Sequence, residues 1–214
     1  VTAAALPPAF LIADTAETLV RIGQRAAARG WVPATSGNFS VKDGESIYVT
    51  MSGRDKGSLT TDDVAAVHAG LPLPTGLSAE APLHLARYAA DPRIGAVFHI
   101  HSPAAVAISY QHRSQEELLL QGWELQKAFA GVRSHEQTIV VPIFPNSQQV
   151  SDLALAIESQ LSRLTGRTFA PGYLIAGHGL YAWGASAEDA WRHLEAFDAL
   201  FQTLLYFATS SAQP

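Results

Sequence analysis

Cysteine is absent from this 214-residue chain, which excludes a disulfide framework and thiolate chemistry alike. Any metal the chain holds must therefore be held by His, Asp or Glu. Lysine is scarce as well: there are three, no basic run occurs, and the formal net charge is −5. That balance argues against a nucleic-acid partner, whose phosphates are met by clustered cations. An anionic small molecule would have to be held by local devices. No apolar stretch approaches the roughly 18–20 residues that cross a bilayer, so no membrane partner is expected. The start lacks a basic region followed by an apolar one, so a secretory leader is not expected; a cytoplasmic location is expected from the lack of cysteine. Linkers, repeats and low-complexity tracts are missing too. With 48% hydrophobic and 15% charged residues, one compact domain over 1–214 is expected, with loose ends at about 1–8 and 209–214.

The chain does have eight histidines, two of them in Val97-Phe98-His99-Ile100-His101-Ser102-Pro103. The run from Ile94 reads as an apolar strand. Successive strand side chains alternate faces, so His99 and His101 point the same way. Ser102 as N-cap and Pro103 at the first helical position then start a helix. Two readings are open for this pair: satisfied histidines at the rim of a core, or two imidazoles gripping a divalent metal beside a helix N-terminus. A metal needs a third ligand. His178, in Ala176-Gly177-His178-Gly179-Leu180, is the best candidate, because flanking glycines let backbone approach where side chains would collide. Three histidines leave a fourth position open, as catalytic sites do.

Elsewhere the patterns are those of alternating helices and strands. Asp14-Thr15-Ala16-Glu17 has the form of a capping box opening a helix that stops at Gly30. Thr35-Ser36-Gly37-Asn38 is either a plain β-turn or an anion nest. Asn38–Val41 and Ser46–Thr50 form a hairpin across Asp43-Gly44. In Met51-Ser52-Gly53-Arg54-Asp55-Lys56-Gly57, Arg54 and Lys56 are either solvated surface cations or phosphate contacts. A strand is expected at Val64–His68 and a helix after Ser78-Ala79-Glu80, where Glu80 can simply complement the helix dipole. Glu124 lies among apolar residues in Trp123-Glu124-Leu125. It is either on a helix surface or partly desolvated, and the second would raise its pKa and suit it to proton transfer. Thr138–Phe144 reads as a strand, Ser147–Leu164 as a helix, and Gly172–Gly184 as a strand pair around His178. The stripe Trp191, Leu194, Phe197, Phe201, Leu204 and Leu205 belongs to a last helix.

Thr35-Ser36-Gly37-Asn38-x-Ser40, Ser52-Gly53, Ser78-x-Glu80, His99-x-His101-Ser102 and Gly177-His178-Gly179, in that order, resemble the class II aldolase/adducin family across nearly the whole chain. Ser78-Ala79-Glu80, Trp123–Lys127, Val140–Ile143 and His178–Gly184 resemble its dehydratase branch, which in methionine salvage removes water from a ketose phosphate carrying a methylthio group. The resemblance implies an α/β, three-layer α-β-α fold with a central, mainly antiparallel sheet flanked by helices. It also implies one zinc ion per subunit on His99, His101 and His178, and a homotetramer with active sites near subunit boundaries. By position, Ser36, Gly37, Asn38, Ser52, Gly53 and Ser78 would lie by the substrate phosphate. Ala79 stands where aldolases of the family carry a second serine, and Lys56 could replace that lost hydroxyl. Glu124 matches the proton-moving carboxylate of the dehydratases, and Glu80 that of the aldolases. The expected activity is therefore a hydro-lyase. Sugar-phosphate aldolase or epimerase chemistry is the alternative, and a non-catalytic scaffold the outsider. Leu71–Leu77 and Leu118–Trp123 are candidates for an apolar wall facing the methylthio group.

Overall fold

The structure is a computed structural model that describes the backbone of residues 9–164 and 166–210 and the side chains of 14–164 and 166–208. The expectation of loose ends lies outside the described residues, apart from Thr209 and Ser210, which still belong to the last helix. Among the described residues no helix is long and apolar enough to cross a membrane.

The first helix, α1, runs over Ala9–Ala28, so it begins upstream of the expected capping box. Asp14, the cap of that box, lies within the helix instead, where its backbone carbonyl accepts from the Thr18 hydroxyl at 3.0 Å. The stop is where it was expected, with Gly30 left-handed at φ +69°. Asn38–Asp43 (β1) and Ser46–Thr50 (β2) then form the expected hairpin around Gly44, and Val64–His68 (β3) pairs with β2. Helix α2 (Ala81–Ala90) leads to β4 (Ala96–Ile100), and Ser102 caps α3 (Pro103–Gln111) by accepting from the Ala105 N–H at 3.1 Å. Next come β5 (Glu117–Leu120), β6 (Ile139–Phe144), α4 (Val150–Leu161), β7 (Gly172–Ile175), β8 (Gly179–Gly184) and α5 (Ala187–Ser210). Helix α4 starts three residues later than its apolar pattern suggests, because Ser147 turns the chain by accepting from the Gln149 N–H.

The eight strands make one sheet in the order β3-β2-β1-β4-β8-β7-β6-β5. All its pairings are antiparallel except β6 with β7. On one face, Leu19, Ile22 and Ala26 of α1, Ala105 and Ile108 of α3, and Leu194, Phe197 and Phe201 of α5 pack on Phe39, Phe98, Ile100 and Leu180. On the other face, Leu83 and Tyr88 of α2 and Leu153 and Ile157 of α4 pack on Val97, Tyr173, Ile175 and Tyr181. Strand β4 thus alternates: Ala96, Phe98 and Ile100 turn to the first layer, and Val97 with His99 turns to the second. Register places Asn38, His99 and Tyr181 in one row across β1, β4 and β8. The site is built on that row, at the middle of the sheet.

Candidate active site

His99 is fully buried and held on two sides. Its Nδ1–H donates to the Leu180 carbonyl at 3.0 Å, and its ring stacks on Tyr181 with centroids 4.0 Å apart. That bond fixes the tautomer and leaves Nε2 with a lone pair aimed away from the backbone. Nε2 of His101 stands 2.8 Å from it, and Nε2 of His178 stands 3.3 Å from it. Nitrogens about 2.0–2.1 Å from a tetrahedral ion lie about 3.4 Å apart, so the three imidazoles are spaced as ligands of one cation. Glu80 closes the group: Oε1 is 2.7 Å from His178 Nε2 and Oε2 is 3.6 Å from His99 Nε2. Among the described residues these four side chains form a cluster whose ligand atoms all lie within 4.8 Å of one another.

The turn that carries His178 depends on its glycines. Gly177 is left-handed at φ +65°, and a Cβ on Gly179 would sit 2.2 Å from the Ile100 carbonyl oxygen. A side chain there would push β8 away from β4 and His178 away from His99.

Charge favours coordination. Burial pushes the His101 pKa down to about 4, repulsion from His178 adds to this, and Glu80 opposes it. His99 lies well below its ordinary value for the same leading reason. Both imidazoles are neutral at physiological pH, as ligands must be. Glu80 is raised by burial but lowered further by His99, His178 and Asn38, so it remains a carboxylate, held well below its usual range. One pH effect follows for the metal-free protein. His84, deep under the site, is also pushed by burial to about 4. Unfolding returns such a group to about 6.5, so the unfolded chain takes up protons first and native stability falls as pH drops from about 6.5 toward 4. His84 alone accounts for roughly 3 kcal/mol of that loss, read as urea midpoints across this window.

A cavity of about 410 Å³ opens over the cluster. Ser36, Gly37, Asn38, Ser52, Gly53, Lys56 and Ser78 line it together with Glu80, His101 and His178. Every expected phosphate-side residue is therefore present. The loop before β1 is wound unusually tightly: Ala34, Thr35 and Gly37 have φ of +53°, +62° and +71°. For the two non-glycine residues this costs on the order of 1–3 kcal/mol each, a strain found mostly where a ligand is gripped. Lys56 pins the loop. Only 1% exposed, it donates from Nζ to the carbonyls of Thr35 at 3.0 Å and Arg54 at 2.8 Å, and so ties both polar loops together. Among the described residues the buried Ser36 hydroxyl has no hydrogen-bond partner, a polar atom placed to meet a ligand.

The profile of the class II aldolase and adducin N-terminal domain matches residues 17–205. A methylthioribulose-1-phosphate dehydratase from Bradyrhizobium sp. is 54% identical over 202 residues, covering 91% of this chain and 94% of its own. One from Parvibaculum lavamentivorans is 48% identical over 201 residues, covering 93% and 97%. The chain belongs to the class II aldolase and adducin family. Among solved structures, the L-fuculose-1-phosphate aldolase from Thermus thermophilus superposes with a TM-score of 0.77 at 25% identity, over 95% of this chain and all of its own.

The structure decides two readings that the sequence left open, at Glu124 and Arg54, and corrects one expectation, the apolar wall. Glu124 is not in a desolvated place: its side chain is 70% exposed, on a short 3-10 turn at Glu124–Ala128, paired with Lys127 and 3.5 Å from His135. It does not line the cavity of its own chain. The apolar neighbours that suggested burial act without it, since Trp123 turns inward to pack at Phe207 while the turn carries Glu124 outward. Arg54 is a surface cation, bonded to Asp63 at 3.1 Å. The apolar wall is not built from the expected segments either. Leu71 and Leu73 are exposed and Leu118 and Leu120 belong to the core; Leu83, Val150, Leu153 and Ile175 line the cavity instead. Asn146, Ser147 and Gln148 line it too. They went unread, and the polar break after the apolar run of β6 was the available signal.

Proposed function

We propose that this chain is a zinc-dependent dehydratase that converts 5-methylthioribulose 1-phosphate to 5-methylthio-2,3-dioxopentyl 1-phosphate, a step of methionine salvage, in the cytoplasm and as a homotetramer. The observation that carries the reading is the convergence of His99, His101 and His178 beside a polar, strained double loop and an apolar wall. The identity to relatives bearing the dehydratase name supports this activity over an aldolase or epimerase.

A divalent ion on the three imidazoles, zinc in this reading, would supply Lewis acidity to the ketose oxygens on carbons 2 and 3. The chain's own groups do the rest. Ser36, Gly37, Asn38, Ser52, Gly53 and Ser78 receive the phosphate, with Lys56 supplying positive charge behind them. Leu83, Val150, Leu153 and Ile175 face the methylthio end. A carboxylate takes the proton from carbon 3, and a proton is delivered to the hydroxyl leaving carbon 4, so that water departs and the enol relaxes to the 2,3-diketone. Glu80 is in the cavity, but it is bound to His178 and Asn38 and held strongly acidic. It is suited to orienting the cluster and poorly suited to giving up a proton near pH 7. In our reading Glu124 moves the proton, reaching the cavity of a neighbouring subunit. Its exposure and the exposed Leu119 and Leu125 beside it support a face covered by a second copy.

Purified protein incubated with methylthioribulose 1-phosphate and followed by mass spectrometry should yield a product that keeps every carbon and has lost one water. Two carbon fragments would show an aldolase, and an isomeric ketose phosphate an epimerase. The phosphate assignment has its own test. Lys56→Met removes the donor to two carbonyls and the buried charge, and should raise KM for the phosphorylated substrate about 10- to 100-fold. An unchanged KM in the folded variant would remove Lys56 from phosphate binding.

A further inference from the structure

Beneath Glu80 and Asn38 lie three buried polar residues in one hydrogen-bonded chain, His84, Ser40 and Tyr88, to which none of the roles above gives a function. His84 is fully buried on α2, edge-on to Tyr181. Its Nε2 is 2.5 Å from Asn38 Oδ1, and its Nδ1 is 2.7 Å from the Ser40 hydroxyl, which is itself 2.9 Å from the Tyr88 hydroxyl and 3.3 Å from the Val97 carbonyl. At the other end, Asn38 Nδ2 donates to Glu80 Oε2 at 2.6 Å and to the Ser78 hydroxyl at 3.3 Å.

The donors and acceptors of this chain can be assigned from one end. A carboxylate only accepts, so the amide group facing Glu80 must be the NH2 of Asn38. Asn38 Oδ1 then faces His84 and needs a donor. Burial keeps the His84 ring neutral, with one N–H to give. That N–H must sit on Nε2, which leaves Nδ1 to accept from Ser40. With the proton on Nδ1 instead, the Asn38 amide would turn over and set its oxygen against the Glu80 carboxylate. The amide orientation at the active site is thus decided by a proton one residue further in.

We infer that His84 is a positioning residue: its Nε2–H tautomer locks the Asn38 amide, which in turn presents Glu80 to the His99–His178 cluster with a fixed orientation. His84 does not line the cavity, and its ring nitrogens meet Asn38 and Ser40 rather than the three imidazole ligands. It acts through Asn38, and Ser40 acts through it. The tautomer and the amide lock stand on their own, and only the kinetic arm of the test rests on the dehydratase reading.

Nitrogen-15 NMR of histidine-labelled wild-type protein, with the His84 signals identified by their loss in His84→Gln, should show a neutral ring protonated at Nε2. A ring protonated at Nδ1, or a charged one, would overturn the inference whatever the substrate proves to be. In the kinetic arm, His84→Gln can still donate to Asn38 Oδ1 whereas His84→Leu cannot. Both should bind metal stoichiometrically. His84→Leu should lose about 10- to 100-fold in kcat, and His84→Gln should recover most of it. Equal turnover of two folded, metal-loaded variants would contradict the lock. Should His84→Leu fail to fold, the wild-type tautomer still decides. Absence of dehydratase turnover in the wild type, with the Nε2 tautomer present, would defeat the proposed activity and leave the inference standing.

Discussion

Glu124→Gln should retain its metal and lose about 100- to 10,000-fold in kcat, the range spanned by removal of a general acid or base. The substitution is isosteric, and at a side chain 70% exposed it leaves folding untouched. Loss of turnover therefore reports chemistry. What makes this variant informative is that Glu124 does not line the cavity of its own subunit. If it acts across a subunit boundary, Glu124→Gln and His99→Ala subunits, each inactive alone, should regain activity when dissociated together and reassembled. Intact histidines on one then meet an intact carboxylate from the other. No recovery on mixing would place the action within one chain or remove it. Near-normal dehydration by Glu124→Gln would leave Glu80 as the remaining carboxylate.

His99→Ala should abolish metal binding and turnover together. His99 is central to the group: its Nε2 lies within 3.6 Å of His101, His178 and Glu80 at once. Loss of an outer partner of a metal ligand already costs about 10- to 100-fold in affinity, and loss of the ligand costs more. The variant should also be less stable, since a fully buried ring stacked on Tyr181 is replaced by a void and the Leu180 carbonyl loses its donor. Metal analysis after dialysis checks the first effect and urea unfolding the second. A folded His99→Ala protein retaining a full equivalent of metal would defeat the ligand assignment.

Much of this site was legible in the sequence because it depends on local rules. Two-residue alternation put His99 and His101 on one face, and Ser102-Pro103 announced the helix behind them. The glycines around His178 signalled a close backbone approach, which the Ile100 carbonyl at Gly179 makes concrete. The hairpin at Gly44 and the stop at Gly30 were equally local. What was not legible depends on tertiary placement. Lys56 reads as either a surface cation or a phosphate contact, yet it is buried, with carbonyls offered by Thr35 of a distant loop and Arg54 of its own. Glu124 has the neighbours of a buried residue, but a 3-10 turn rotates it outward. The start of α1 was misplaced because the helix, begun at Ala9, runs straight through Asp14–Glu17, which a local capping pattern cannot exclude. The cavity's apolar wall comes from α2, α4 and β7, three elements whose apolar residues look like ordinary core until they are assembled.

The central claim is that three imidazoles hold one ion on which dehydration depends. Chelator-stripped protein should be inactive toward methylthioribulose 1-phosphate, and stepwise addition of zinc should restore diketone formation in proportion to bound metal, with the break at one equivalent per chain. Full dehydration by stripped protein, or activity that does not follow metal bound at His99, His101 and His178, would contradict it.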